Sequence, residues 1–419
     1  MKIIADHNGR KLTNSNLKAS DFYTLSKKLY FFLLAVLLPL ANPSLPGNTI
    51  LVDFINLAFV FLFAILFCIK KTPLGFPLLG PFLVIFLGSL IALFNSQALI
   101  TSVFTIAQDL YLFMFFLLLY NLIDHRDDLK LLIALWIMVG VFEAILAVLN
   151  TYGHFSVGTS KVSEVEDFTR ARATFGNSDA AASYLGVLFF LVFQPYFALK
   201  TFWRAVLGVI IFIGMQETKS MSALLGFTVG GFVVFFLYWL YAEGIKKLQL
   251  TISALLVVLC IFVIIIPKLM QAENFLDRMP RSANTRMEIW TAGYKSITEH
   301  PLGIGPGAFK KIGQGPFNNE GKRAELHSDY ISHLVERGPL GFIGLLMLYG
   351  ALVLLIVKQL GEANTNLEFL WASGLLGMMS FIVVDALNHE GMHYRHVWFA
   401  FALIAIQSKL MKCQDKITD

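Results

Sequence analysis

Long apolar runs separated by short polar steps dominate this chain. A helix needs about 20 apolar residues to cross a bilayer. Runs of that kind centre on residues 27–42, 49–69, 74–94, 99–122, 130–151, 178–197, 203–217, 221–242, 249–266, 338–357, 367–386 and 394–409. The pattern predicts an all-α integral membrane protein of about 12 transmembrane helices. The seventh and eighth runs are separated only by Glu217-Thr218-Lys219-Ser220. Two segments, 152–177 and 267–337, are instead long and polar. In the second, Thr285-x-x-Glu288 reads as a capping box, and Met287, Trp290, Tyr294 and Ile297 then form one apolar stripe of an amphipathic helix. That helix should stop near His300-Pro301, and the glycine-rich 301–315 reads as an ordered loop that lets a lid hinge. The chain thus divides into spans one to nine over 1–266, a lid segment over 267–337, and spans ten to twelve with a short tail over 338–419.

Composition agrees. Of 419 residues, 57% are apolar and 15% charged, whereas soluble domains sit near a quarter charged. The first 28 residues are polar and lysine-bearing, which predicts no cleavable signal peptide. Cys68, Cys260 and Cys413 show no metal-like spacing and imply no disulfide framework. The net charge of +5 follows topology rather than nucleic-acid binding. Lys27, Lys28, Lys70, Lys71, Arg126, Lys130, Lys200, Arg204, Lys246, Lys247, Lys358 and Lys409 all fall on one side of the alternating spans. The short turns at 43–48 and 95–98 on the other side carry none. The positive-inside rule puts both termini in the cytoplasm and the two long polar segments outside.

The segment Glu325–Gly341, ELHSDYISHLVERGPLG, carries the strongest hint of chemistry. His327 precedes Tyr330, Ile331, Leu334 and Val335 at helical spacing, and Gly338-Pro339-Leu340-Gly341 opens the next span. An imidazole at a membrane boundary is suited to proton transfer near neutral pH. With Thr285 as N-cap, Arg286 stands at a helix N-terminus, where it opposes the dipole unless an anion docks there; a pair with Glu288 or a lipid headgroup is the plainer reading. Lys219 sits in a turn at the outer side, as a ligand cation or a snorkelling one. Asp385 and Arg395, at the end and start of adjacent spans, should form a buried pair that fixes two helices or serves substrate. His389-Glu390-Gly391-Met392-His393 matches the zinc pattern His-Glu-x-x-His, but Gly391 weakens the helix this needs, so the segment reads as a histidine-rich turn. The Gly303, Gly305, Gly307 run lacks the strand and Lys-Ser/Thr of a phosphate loop.

These motifs resemble those of the O-antigen ligase and polymerase family of bacterial membrane glycosyltransferases. In that family a His followed by Asn, Ser or Gln stands nine residues before a Gly-x-x-Gly, which His327-Ser328, Gly338 and Gly341 match. Arg170-Ala-Arg172-Ala-Thr-Phe-Gly176-Asn177 is similar to the family's Arg–small–Phe–Gly–Asn stretch, and Arg172, closer to Phe-Gly-Asn, takes the substrate-side role. Thr218-Lys219-Ser220-Met221-Ser222-Ala223-Leu224 departs from a family arginine at Lys219, which keeps the charge but not the bidentate fork. The resemblance implies an inner-membrane enzyme with a periplasmic site, working without metal or nucleotide and with inversion. It would move a glycan from an undecaprenyl-pyrophosphate donor to an acceptor hydroxyl, with His327 as catalytic base and Arg172, Arg286, Lys219, Asp385 and Arg395 at the substrate. A ligase uses a lipid A-core acceptor, a polymerase a growing glycan, and a third relative type glycosylates proteins. Outside the family, the alternatives are a polytopic solute transporter and an intramembrane zinc protease.

Overall fold

The computed structural model describes residues 14–40, 51–71, 73–153, 170–194, 200–249, 251–252, 273–312 and 325–418, and among these every regular element is helical. The principal helices are α1 (Asn14–Leu37), α2 (Leu51–Lys70), α3 (Leu79–Leu93), α4 (Leu99–Leu122), α5 (Arg126–Thr151), α6 (Ser178–Val192), α7 (Thr201–Glu217), α8 (Met221–Tyr241), α9 (Glu273–Glu299), α10 (Asp329–Gly361), α11 (Asn366–Asp385) and α12 (Arg395–Thr418). Nearly all of the ninth predicted run, most of 152–177, and Gly313–Gly315 lie outside the described residues. Six helices, α2, α4, α5, α8, α10 and α11, are long and apolar enough to cross a membrane, and α3 and α6 are shorter apolar helices. Their outward residues are large and apolar: Phe61, Phe104 and Leu354 are each about two-thirds exposed. In water each such side chain costs on the order of 1.5–3 kcal/mol relative to burial; in hydrocarbon it does not, and helices satisfy their own backbone there. The chain is an all-α membrane protein.

Helix α10 packs along α3, α11 along α8, and α12 between α4 and α10. Polar groups inside the bundle are paired. Tyr30 donates to Asn56 at 3.0 Å and Asn56 to Tyr111 at 2.8 Å, tying α1, α2 and α4. Arg337, 2% exposed, donates to Asp109 at 2.6 Å and to Ser89 at 3.2 Å.

The glycines after the histidine motif have separate physical roles. Gly338 has φ 69° and ψ −175°, breaking α10 into a short outer helix and a long inner one. A side chain at Gly88 on α3 would meet the backbone of Gly341 at 2.5 Å, so the two glycines are what lets α3 and α10 touch. Pro339 has no N–H, so the carbonyl of Val335 loses its helical partner. It accepts instead from Ile304 at 3.1 Å, and the neighbouring Glu336 carbonyl accepts from Gly305 at 3.0 Å. The Glu336 carboxylate completes the junction, accepting from Gly307 at 2.7 Å and Phe309 at 3.2 Å. The sequence predicted a hinge at these glycines. Through residue 308 the loop is instead seated against α10, and a side chain at Gly303 would meet Glu336 O and Gly338 N, each at 2.7 Å.

A second, small core holds α9 over this junction. Ile289, Ile304, Ala308, Phe309, Leu326 and Val335 are buried together, and Trp290 donates to the Leu326 carbonyl at 3.2 Å. The predicted stripe needs correcting. Ile289, Gly293 and Ser296 face inward with Trp290 and Ile297 beside them, while Met287 and Tyr294 point out, 63% and 69% exposed.

Candidate functional site

One end of the bundle gathers polar side chains from six elements. The loop before α6 is fastened to the turn between α7 and α8: Ala171 donates to the Glu217 carbonyl at 3.1 Å, and Arg170 Nε to the Thr218 carbonyl at 3.0 Å. Asn177 caps α6, accepting from Ala180 at 2.6 Å. Arg170 Nη2 then meets Asp179 Oδ1 in the first turn of α6 at 2.5 Å. Lys219 sits in the same α7–α8 turn, in the left-handed region at φ 53°. Two separately predicted cation motifs are therefore neighbours.

At the far side of this cluster α11 ends in Asp385, and the tight turn 386–390 folds back on it. His389 Nδ1 lies 2.9 Å from Asp385 Oδ1 and 2.9 Å from Ser222 Oγ on α8, while its Nε2 lies 3.4 Å from Asp179 Oδ1. Burial alone lowers an imidazole's proton affinity. Here Asp385 and Asp179 outweigh it and raise His389 to about 10, so it is an imidazolium at neutral pH. Arg286 reaches in from α9 and donates to Asn388 Oδ1 at 3.3 Å. Burial and Arg170 lower its proton affinity against Asp179 and Asp385, and an arginine still stays charged.

His327 stands beside this group on the strand-like approach to α10. It is exposed, in the left-handed region at φ 50°, and its backbone N–H is held by Glu390 Oε1 at 3.1 Å. Among the described residues no side chain hydrogen-bonds its ring, so the imidazole is free for a ligand. Enough protein surrounds it that desolvation is still the main influence. With His389 and Arg286, this holds His327 below its ordinary value against the opposing pull of Glu325 and Asp179. Glu325 is itself paired with Lys310 at 2.6 Å, which holds its carboxyl below the ordinary value. Glu390 is pushed well above the carboxylate range, by burial first and then by Glu325, Glu336 and Asp329. The site therefore sets a neutral, accessible base next to fixed cations.

Several expectations change. Thr285 is not an N-cap: α9 begins at Glu273, so Thr285 and Arg286 lie within the helix and no free N–H groups accompany the guanidinium. Asp385 and Arg395 do not pair. Arg395 forks onto Asp53 of α2, at 3.0 and 2.6 Å, while Asp385 is taken by His389. Of the two arginines before α6, Arg170 joins the cluster. Arg172 turns to the Gly176 carbonyl at 3.4 Å, with its Nε buried and unpartnered among the described residues. The His-Glu-x-x-His segment is a turn followed by the 3₁₀ turn Gly391–His393. His389 faces the two aspartates and His393 faces Glu390 at 3.7 Å, so the two imidazoles have separate surroundings. Sequence reasoning passed over Asp179 and read Asn388, His389 and Glu390 only as part of a histidine-rich turn; an ionisable residue in the first turn of an apolar helix, as Asp179 is, was the available signal. A cavity of about 280 Å³ against Tyr120, Leu355 and Lys409 lies at the opposite end of the bundle, away from His327.

The fold and this cluster define a helical membrane protein with a polar end where arginines, carboxylates and histidines meet. Residues 206–346, which include Lys219, Arg286, His327 and Gly338, match the family described as O-Antigen ligase. The chain is also 20% identical over 314 residues to the teichuronic acid biosynthesis protein TuaE of Bacillus subtilis (strain 168), covering 70% of this chain and 64% of that protein, just under two-thirds of its length. Over residues 206–346 the chain is thus similar to the O-antigen ligase family, and over most of its length to a protein of teichuronic acid biosynthesis.

Proposed function

We propose that this protein transfers a glycan from undecaprenyl pyrophosphate to an acceptor hydroxyl at the outer face of the bacterial inner membrane. The observation that carries the reading is the exposed His327 imidazole, which no side chain among the described residues hydrogen-bonds, within electrostatic reach of Arg286. His327 takes the proton of the acceptor hydroxyl as its oxygen bonds to the anomeric carbon. The bond from that carbon to the pyrophosphate oxygen breaks, and its electron pair leaves on the pyrophosphate. A single displacement of this kind inverts the anomeric centre. The leaving group is already a stable anion, so fixed cations suffice to stabilise it, and no metal step is invoked. Arg286 and Arg170 are its holders, with Arg172 and Lys219 in reserve at the edge. The cluster lies at the end of the bundle away from Lys27, Lys130, Arg204, Lys358 and Lys409, which supports a periplasmic site with both termini in the cytoplasm.

The acceptor distinguishes two readings. A lipid A-core hydroxyl makes the protein a ligase. A growing glycan on the same carrier makes it a polymerase. The test is a reconstituted transfer assay with lipid-linked glycan, each acceptor in turn, with and without chelator. Transfer to either acceptor that is lost in His327→Ala supports the reading. No transfer to either by correctly inserted protein overturns it, and zinc-dependent recovery after chelation would move the active site to the His389–His393 turn.

A further inference from the structure

The proposed transfer leaves His389 without a role, although it is buried among three polar partners. It is 4% exposed and lies between two carboxylates from different helices, Asp385 of α11 and Asp179 of α6, with Ser222 of α8 on a third side. Each carboxylate also bears on an arginine of the cluster. Asp179 pairs with Arg170, and Asp385 and Asp179 both act on Arg286 through space. Unopposed, the two aspartates would cancel the two guanidiniums.

We propose that His389 is a positioning cation of the transfer site: bridging Asp385 and Asp179, it absorbs their charge and leaves Arg170 and Arg286 available to an anionic diphosphate. The inference rests on the donor reading above. With His389 protonated, three cations (Arg170, Arg286, His389) face two carboxylates (Asp179, Asp385), an excess of one positive charge. Of the other ionisable groups nearby, Glu325 is matched by Lys310, Glu390 is pushed toward its neutral form by burial and the carboxylates around it, and His327 toward its neutral form by burial. Ser222 belongs to the same short stretch as Lys219. His389 also fixes geometry, because Asn388, which receives Arg286, is its immediate neighbour.

The test measures binding of undecaprenyl pyrophosphate to full-length protein in neutral-lipid nanodiscs, with competition by inorganic pyrophosphate to isolate the headgroup. His389→Gln removes the charge and keeps polar contacts, and should weaken binding about tenfold or more, the size of one charge-assisted interaction. His389→Gln combined with Asp385→Asn restores the excess charge and should regain most of the affinity, a rescue that a purely structural histidine would not give. Undiminished binding by His389→Gln, or no recovery in the double variant, overturns the proposal. If His389→Gln does not fold, Asp385→Asn alone decides: it raises the positive excess and should tighten pyrophosphate binding, and unchanged or weaker binding refutes the idea. Failure of the wild-type protein to bind either probe would instead remove the donor reading itself.

Discussion

The junction between the 301–312 loop and the kink of α10 should be the mechanical support of Arg286, and Glu336 is the residue to test it. Its carboxylate accepts the N–H groups of Gly307 and Phe309 at 2.7 and 3.2 Å. Hydrogen bonds to a charged group are worth about 1.5–3 kcal/mol each. Removing both in Glu336→Ala also strands two donors in a largely buried place, so local stability should fall by about 3–5 kcal/mol. At about 1.4 kcal/mol per tenfold, the Gly307 and Phe309 amides should exchange hydrogen on the order of 100-fold faster or more. The disturbance should spread through the small core around Ile289, Phe309 and Leu326 to α9, and binding of the lipid donor should weaken as Arg286 loses its seat. Glu336→Gln, which retains one acceptor oxygen, should fall between. Hydrogen exchange on protein in nanodiscs reads the effect peptide by peptide. If 303–312 keeps wild-type protection in Glu336→Ala, the loop is held by its backbone bonds to Val335 and Glu336 alone and the reasoning fails.

His327→Ala should lower turnover by about 10²–10⁴ with little change in melting temperature, since the side chain is exposed; wild-type turnover in folded protein would make this histidine structural. The neutral imidazole is the active form and its proton affinity is lowered, so the acid limb of kcat/KM should lie below pH 6.5, and a limb above that value would assign it to another group. Arg170→Ala and Arg286→Ala should each weaken donor binding by about tenfold or more, Arg172→Ala should weaken it less, and Arg286→Lys should restore only part because lysine lacks the fork; equal affinity across the set would remove the arginines from the donor site. A cysteine at the half-exposed Lys310 should react with a membrane-impermeant thiol reagent from the periplasmic side, and labelling only after the inner membrane is opened would invert the topology.

The helices were legible because hydrocarbon imposes one simple demand, a run of apolar residues long enough to cross it. The position of His327 was legible for a similar reason: its spacing to Gly338 and Gly341 is fixed by a kink that needs a positive φ and by the contact with Gly88. Partners were harder to read. Asp385 and Arg395 are ten residues apart in sequence and both ionisable, yet each is closer to a residue that no local pattern links to it, His389 across a folded-back turn and Asp53 from α2. The start of α9 was misread because Thr285 and Glu288 fit a capping box locally, whereas the helix already runs from Glu273. His389 was taken for part of a plain turn because a histidine's meaning depends on the charges facing it, and here Asp179 comes from a helix more than 200 residues earlier.

The two supports of the site are built differently, and the difference follows from what each must hold. The α9 side rests on a carbonyl left unpaired by Pro339, a buried carboxylate and a small apolar core, interactions that hold position without adding net positive charge. The α6–α8–α11 side is a chain of alternating charge from Arg170 through Asp179 and His389 to Asp385. Such a chain is stabilised only while its members stay paired, because a lone buried charge costs several kcal/mol. On the proposed reading, an arriving diphosphate would add negative charge at the cationic edge of that chain, where Arg170 and Arg286 stand, and so offset their positive excess. A neutral polar ligand would offer no such compensation. On the proposed reading, the electrostatic arrangement would select for an anionic leaving group before any sugar is recognised, and would leave discrimination among acceptors to the surface around His327.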